Sequence, residues 1–396
     1  MTMPTPTLYE QFRDFFVSLK LTVALLLFSL ILVFVATLDQ VNLGIWAVQE
    51  KYFRSFFVMW RLPGTEVAIP VFPGGYFVGG LLLINLTAAH LYRFQLSWKK
   101  SGIQLAHAGL ILLLVGELLT GLLQKESFMR LDEGETKKYS ESFRGHELAF
   151  LDTTAPDYDE VVALPEALLA DHATVQHPKL PFQVRIKEYF PNSNLVMRDS
   201  LPPAAQAQFP TATAGVGPRL ALQPLRMTYK PDERNVPGAI VEVVGPEGPL
   251  GTWLVSPQLN VAQGFDYQGR KWQLTLRSQR TYKPFSVTLL KFSHDKYPGT
   301  EIPRNFSSRV RVKSDDGRDD REVLIFMNNP LRYGGLTFYQ AGFDNNDRTT
   351  ILQVVRNPGW LLPYIACVMM GLGLCLQFGF SLRDFIRRRS VQPAGA

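Results

Sequence analysis

From Ile103 to Leu123 the sequence reads IQLAHAGLILLLVGELLTGLL, an apolar run that nonetheless carries His107 and Glu117. About 20 apolar residues in a helix cross the ~30 Å hydrocarbon layer of a bilayer, so this run predicts a membrane span. A charge at the centre of such a span costs at least ~2.5–3.5 kcal/mol, and ionisable groups there face protein, water or a ligand. The rest of the chain is read as what surrounds this helix.

Three further runs have the same character: about Leu19–Leu38, Tyr76–Tyr92 and Trp360–Phe380. The chain of 396 residues is 46% hydrophobic, which suits a globular protein, but the average conceals a segregation. These runs predict an N-terminal membrane part (1–123, with spans at about 19–38, 76–92 and 103–123), a polar region (124–357), and a fourth span with a basic tail (358–396). The formal charge of +6 does not point to nucleic acid. Much of the excess flanks the spans, in Arg93, Lys99 and Lys100 and in Arg383 and Arg387–Arg389, where the positive-inside bias places it. Both clusters are then cytoplasmic, as are both termini, and residues 39–75 and 124–357 lie outside. Asp39 is read as the end of the first span. The aromatic-rich loop 39–75 is read as lying along the interface, and Pro63, Pro70, Pro73, Gly74 and Gly75 break any helix there. Residues 8–20, LYEQFRDFFVSLK, read as an interfacial amphipathic helix leading into the first span.

The polar region alternates in FQVRIKEY (182–189), AIVEVV (239–244), WQLTL (272–276) and VRVK (310–313), the period of half-buried strands. Helical pattern is confined to Leu164–Ala170, and Pro202–Pro218 reads as a long loop. The fold class is therefore an integral membrane protein of four transmembrane helices plus a large extracytoplasmic mainly-β domain, sandwich- or barrel-like, between the third and fourth.

Cys367 and Cys375, the chain's two cysteines, stand about two helical turns apart in the last span, too far for a disulfide. No C-x-x-C-H occurs, so the chain carries no covalent haem of its own. No G-x-S-x-G, P-loop, G-x-G-x-x-G or H-E-x-x-H appears, which favours a carrier, scaffold or subunit over a self-sufficient enzyme. Chemistry-bearing candidates are then His107 and, at the same membrane depth on the preceding span, His90. Histidine is a haem-iron ligand in many proteins, but each of these also reads as an interfacial or interhelical hydrogen-bonding residue. Two such imidazoles could flank one porphyrin edge or face different partners. Glu117, about 15 Å beyond His107 along the helix, reads as protonated or hydrogen-bonded to a neighbouring helix. His146, His172, His177 and His294 show no ligand spacing and read as ordinary surface or core.

The order of parts, with FPGG (72–75), LINL (83–86), GIQLAHAGLIL (102–112), GE (116–117) and SFMRLDEGE (127–135), resembles the ResB family (also called CcsB) of cytochrome c biogenesis proteins. So do YPGT (297–300), PRNFSS (303–308), IFMNNPL (325–331), FYQ (338–340) and NPGW (357–360). The resemblance implies a subunit of a system II cytochrome c synthase in a bacterial cytoplasmic membrane. Such a subunit works with a tryptophan-rich ResC/CcsA-type membrane partner, handles haem b as transported cargo, and supports its attachment to C-x-x-C-H apocytochromes c. It also implies that His107, by its Ala106-His107-Ala108-Gly109-Leu110 context, is an axial ligand of haem iron; His90 has no such correspondence. The chain ends after the fourth span without a tryptophan-rich part, so that partner is expected in trans. Asn328, Asn329 and Tyr339 read as turn and core residues. The rival readings are a cofactor-free membrane-anchored scaffold or sensor, and a b-type electron-transfer subunit. The latter is disfavoured because both span histidines sit on one side.

Overall fold

The computed structural model describes residues 7–62, 67–92, 97–206, 208–228, 234–300, 303–344 and 348–391. Pro63 and Arg93 lie outside these. Contacts divide the chain into two units, one of residues up to 125 and from 357 onward, the other of residues between 126 and 356.

The first unit holds α1 (Leu8–Phe16), α2 (Leu19–Val48), α3 (Gly75–Tyr92), α4 (Ser101–Leu123) and, late in the chain, a fourth long helix, Leu362–Val391. Four of these are long and apolar enough to cross a membrane: Leu19–Ile45, Gly75–Tyr92, Trp98–Leu123 and Leu362–Arg389. Thr7 and Glu10 form a capping box that starts α1, whose Leu8, Tyr9, Phe12 and Phe15 are exposed.

Asp39 does not end the first span. The helix runs on to Val48 and turns at Gly44, whose φ of 77° only glycine adopts freely. The Asp39 carboxylate is kept inside the helix because Lys51 Nζ (2.7 Å) and Tyr52 OH (2.8 Å) return to donate to it. Residues 49–53 make a π-helical turn, and β1 (Phe57–Arg61) pairs antiparallel with β2 (Ala68–Pro73). The predicted aromatic loop is thus partly a small core, with Tyr52, Val48 and Val58 buried against Leu32 and Ala36. Phe56, Phe57 and Trp60 stay exposed. Pro70 and Pro73 sit within β2, so no helix forms there, as the prolines predict.

The second unit is mainly β, as its alternation predicts. Its strands are β3 (Lys125–Asp132), β4 (Thr136–Asp152), β5 (Glu160–Pro165), β6 (Thr174–Val175), β7 (Gln183–Phe190), β8 (Ser193–Met197) and β9 (Leu220–Pro224). They continue with β10 (Gly238–Gly245), β11 (Gly248–Val255), β12 (Gln263–Tyr267), β13 (Arg270–Lys296) and β14 (Pro303–Ser314). The last are β15 (Asp320–Phe326), β16 (Leu331–Tyr333), β17 (Leu336–Asp344) and β18 (Thr349–Arg356). Two short helices, α5 (Glu166–Ala170) and α6 (Pro203–Gln206), interrupt them; the fourth long helix, Leu362–Val391, is α7.

The large sheet runs β15-β14-β13-β4-β3-β18-β17-β16, with β12 on β13 and β5 on β4; a second sheet runs β11-β10-β7-β6. Two cores follow. In one, Leu148, Phe150, Trp272 and Leu274 of the large sheet pack with Val184, Val241 and Trp253 of the smaller one. In the other, Met129, Phe285, Val310, Ile325, Phe338 and Leu352 come together as the large sheet curls on itself. The 27-residue strand β13 belongs to both. Asn328 has the left-handed φ of 63° expected at a turn, but Tyr339 is exposed rather than core.

Between the two halves of β13 its register with β4 slips, from Tyr282 to Val287, and Lys283 is buried there. Its ammonium donates to Ser140 Oγ (2.6 Å) and to the Thr281 carbonyl (3.2 Å), and among the described residues no carboxylate is paired with it. Burial therefore pulls it down from 10.5 to about 8. Below pH 8 both folded and unfolded states hold this proton, and the burial penalty is present in full. Between about 8 and 10.5 the folded state releases it first, so stability rises with pH through that window. Lys283→Met is expected to raise the melting temperature at pH 7, with the gain shrinking as the pH approaches 10.5. A gain of the same size at both pH values would contradict this origin.

Candidate functional site

The packing of α4 decides where its histidine points. Gly102, Gly109 and Gly116, seven residues apart, are all buried. A Cβ at Gly102 would lie 2.6 Å from Gln377 N and 2.7 Å from Gly373 O, and one at Gly109 would lie 2.8 Å from Ala366 O. A side chain at Gly116 would meet Leu362 Cβ at 3.1 Å. This stripe of missing side chains lets the backbones of α4 and α7 touch, the usual basis of close packing between membrane helices. With that face committed to α7, His107 falls on another face and is exposed. It lies six residues past Ser101, about 9 Å along the axis. That is deeper than a count from Ile103 suggests, because the helix starts earlier.

His90 is positioned by what flanks it on α3. Asn85, 1% exposed, donates to the carbonyls of Phe16 (2.6 Å) and Ser18 (3.2 Å) and accepts from Thr22 Oγ1 (2.6 Å). Both carbonyls lie at the corner between α1 and α2, so one carboxamide ties that corner to α3. On the other side of His90, the hydroxyls of Tyr92 and Tyr9 are hydrogen-bonded. Held this way, the ring of His90 comes within 6.4 Å of that of His107, centroid to centroid, with the planes at 89°. The two imidazoles that the sequence places at one depth are therefore neighbours in space.

Glu117 does not join them. It is exposed on α4 and makes no hydrogen bond among the described residues, so the expected interhelical bond is absent there.

The remaining histidines lie in the β unit. The backbone N–H of His146 donates to Glu166 Oε2 (2.9 Å), its Nδ1 lies 3.3 Å from the same atom, and Tyr189 OH donates to Oε1 (2.5 Å). Burial works against the Glu166 carboxylate, but these hydrogen bonds outweigh it and hold the group below the usual range. Burial, reinforced by the bond to Glu166, pushes the Tyr189 phenol up. Neither effect was visible in the sequence, since the three residues come from separate strands and a short helix. His177 Nδ1 accepts from Lys179 N (3.2 Å), His172 sits in a left-handed turn, and His294 is packed by Phe306 and Phe343. Among the described residues no three His, Cys, Asp or Glu side chains could together hold a metal ion. Cys367 and Cys375 are free.

That last pattern narrows the chemistry. A bare ion such as zinc needs four protein or water ligands. An iron that brings four equatorial donors of its own needs only one or two axial ones.

Residues 252–351 match the model of the ResB-like family. They run from β11 to β18, take in most of the second core but not Met129 or Leu352, and do not include His90 or His107. The chain is 25% identical over 304 residues to Protein NrfI of Wolinella succinogenes, across 74% of this chain and 29% of that protein. It therefore spans less than a third of that relative's own length. Together, the family match over residues 252–351 and the alignment over most of the chain make this protein similar to ResB-like proteins.

Proposed function

We propose that this chain handles haem in cytochrome c biogenesis, as a membrane subunit of a system II synthase that works with a ResC/CcsA-type tryptophan-rich protein. Haem is its cargo, and the product is haem covalently held by C-x-x-C-H apocytochromes. The observation that carries the reading is the pair His90 and His107, their ring centroids 6.4 Å apart on adjacent helices, with no third ligand group joining them among the described residues. His107, exposed on its helix, is the axial ligand for haem iron, and His90 is the second imidazole within reach.

Each residue has a separate task in this account. Neutral imidazole at His107 holds the iron, and its ligand identity sets affinity and redox poise. Asn85 and Tyr92 fix the end of α3 so that His90 faces His107. The glycines of α4 set its rotation. Lys99, Lys100 and the arginines after Leu382 mark the cytoplasmic side by charge bias, in a bacterial inner membrane, which puts the histidine pair toward the cytoplasm and the β unit outside. That unit offers area for an apocytochrome or the partner rather than a reactive group.

The test is a maturation assay. The full chain, the tryptophan-rich partner and an apocytochrome are co-expressed in a bacterium without its own maturation system, and covalent haem is read on a denaturing gel. Losing an outer-shell partner already costs about 10–100-fold in metal affinity, so losing the ligand costs at least as much. His107→Ala is expected to reduce covalent haem on the order of tenfold or more, and added imidazole to restore part of it. Full yield from both His107→Ala and His90→Ala would favour a cofactor-free scaffold.

A further inference from the structure

A buried carboxamide oxygen stands one helical turn before His107. Gln104 Oε1 is out of reach of solvent and accepts no hydrogen bond among the described residues. Few buried acceptors in native proteins are left empty, and each asks for a donor. On a helix, the side chains beside residue 107 are those three and four places away. They are Ile103, Gln104, Leu110 and Ile111, and of these side chains only that of Gln104 can accept a hydrogen bond. Helical side chains lean back toward the N-terminal turn, so the imidazole of His107 lies over the turn that carries Gln104.

A second buried oxygen without a partner among the described residues, Gln377 Oε1, belongs to α7. The main chain of Gln377 sits against Gly102, on the glycine face of α4. With 3.6 residues per turn, His107 is about 140° around the helix from Gly102 but only about 60° from Gln104. Gln104 is therefore the acceptor on the side of the histidine. We infer that Gln104 is a positioning residue for His107: its Oε1 accepts the Nδ1–H of the neutral imidazole, which leaves Nε2 as the outward nitrogen. Nδ1 is the ring nitrogen nearer the main chain, and so the one that a side chain a turn back can reach. The purpose of this bond rests on the haem-handling reading. A histidine that ligates a metal almost always donates its other ring N–H to a carboxylate, a carbonyl or water, which fixes the tautomer and raises the basicity of the ligating nitrogen.

The first measurement needs no haem. Magnetic resonance of the full chain, with isotopically labelled histidine nitrogens and at a pH where imidazole is neutral, reads the tautomer of His107; His107→Ala identifies its signal. The native chain is expected to hold the Nδ1–H form. Gln104→Met, close in length but without the oxygen, should revert to the Nε2–H form that free histidine prefers. The second measurement is the reduction potential of haem bound by the full chain purified with its partner. Gln104→Met is expected to raise the potential and to weaken haem binding about 10–100-fold. Gln104→Glu, a stronger acceptor three residues past the start of α4, should lower the potential and keep the binding. Opposite shifts from the two variants are not what a loss of packing produces, and Gln377→Met should move neither readout. One tautomer in native and Gln104→Met chains, one potential for native, Gln104→Met and Gln104→Glu, or a tautomer switched by Gln377→Met would overturn the assignment. If haem binds and its potential ignores residue 104, only this inference fails. If the native chain with its partner binds no haem, the haem-handling reading fails, and the tautomer alone decides whether Gln104 holds His107.

Discussion

A chain carrying Gly102→Val is expected to lose the packing of α4 against α7 and to unfold in detergent far more readily than the native protein. Adding bulk to a packed interior costs about 1–3 kcal/mol, occasionally more. The obstacles here are main-chain atoms, Gln377 N at 2.6 Å and Gly373 O at 2.7 Å from the first added carbon. No rotamer change can move them. The contact is reciprocal, since a Cβ at Gly373 would meet Ala106 N at 2.6 Å and Gly102 O at 2.7 Å. The effect should therefore reach the upper end of that range, about 3 kcal/mol. Gly79→Ala and Gly80→Ala meet open space, and better helix propensity makes them neutral or slightly stabilising. Thermal melts of the purified full chain check this. Equal losses for Gly102→Val and Gly79→Ala would mean that α4 and α7 are not held by backbone contact.

The same contact shows what a linear sequence displays and what it hides. Span length is a one-dimensional property, so four apolar runs could be recognised directly. The rotation of a span is not. The heptad of Gly102, Gly109 and Gly116 is present in the letters, yet glycine is common in membrane helices and only the partner backbone gives the spacing its meaning. Asp39 misled for a related reason. A carboxylate after an apolar run ordinarily marks a helix end, and nothing local announces that Lys51 and Tyr52 fold back to satisfy it.

In the β unit, the alternation at 182–189, 239–244, 272–276 and 310–313 marked true strands, although β10 is buried on both faces rather than one. The length of β13 was hidden, since its alternation breaks at Lys283 and Pro284, where the strand passes from one core to the other. Of the candidate site, the shared depth of His90 and His107 followed from their places in two spans. Their nearness depends on Asn85, which reads as one polar residue in a span until the carbonyls of Phe16 and Ser18 are found against it.

The most direct test of the haem-handling account is the absorption spectrum of the detergent-purified chain, alone and with its tryptophan-rich partner. Native protein is compared with His107→Ala and His90→Ala. On the proposed reading, haem iron is held through the exposed imidazole of His107, so its removal should abolish most of the haem absorption band at equal protein. Free imidazole can fill the space left by the alanine and should restore the band. His90→Ala is expected to shift the band and weaken binding rather than abolish it, if His90 is the second ligand. Native protein with bound haem, a His107→Ala sample without it, and recovery on adding imidazole is the predicted result. Equal haem in native and His107→Ala samples, or none in any sample with the partner present, would contradict the account.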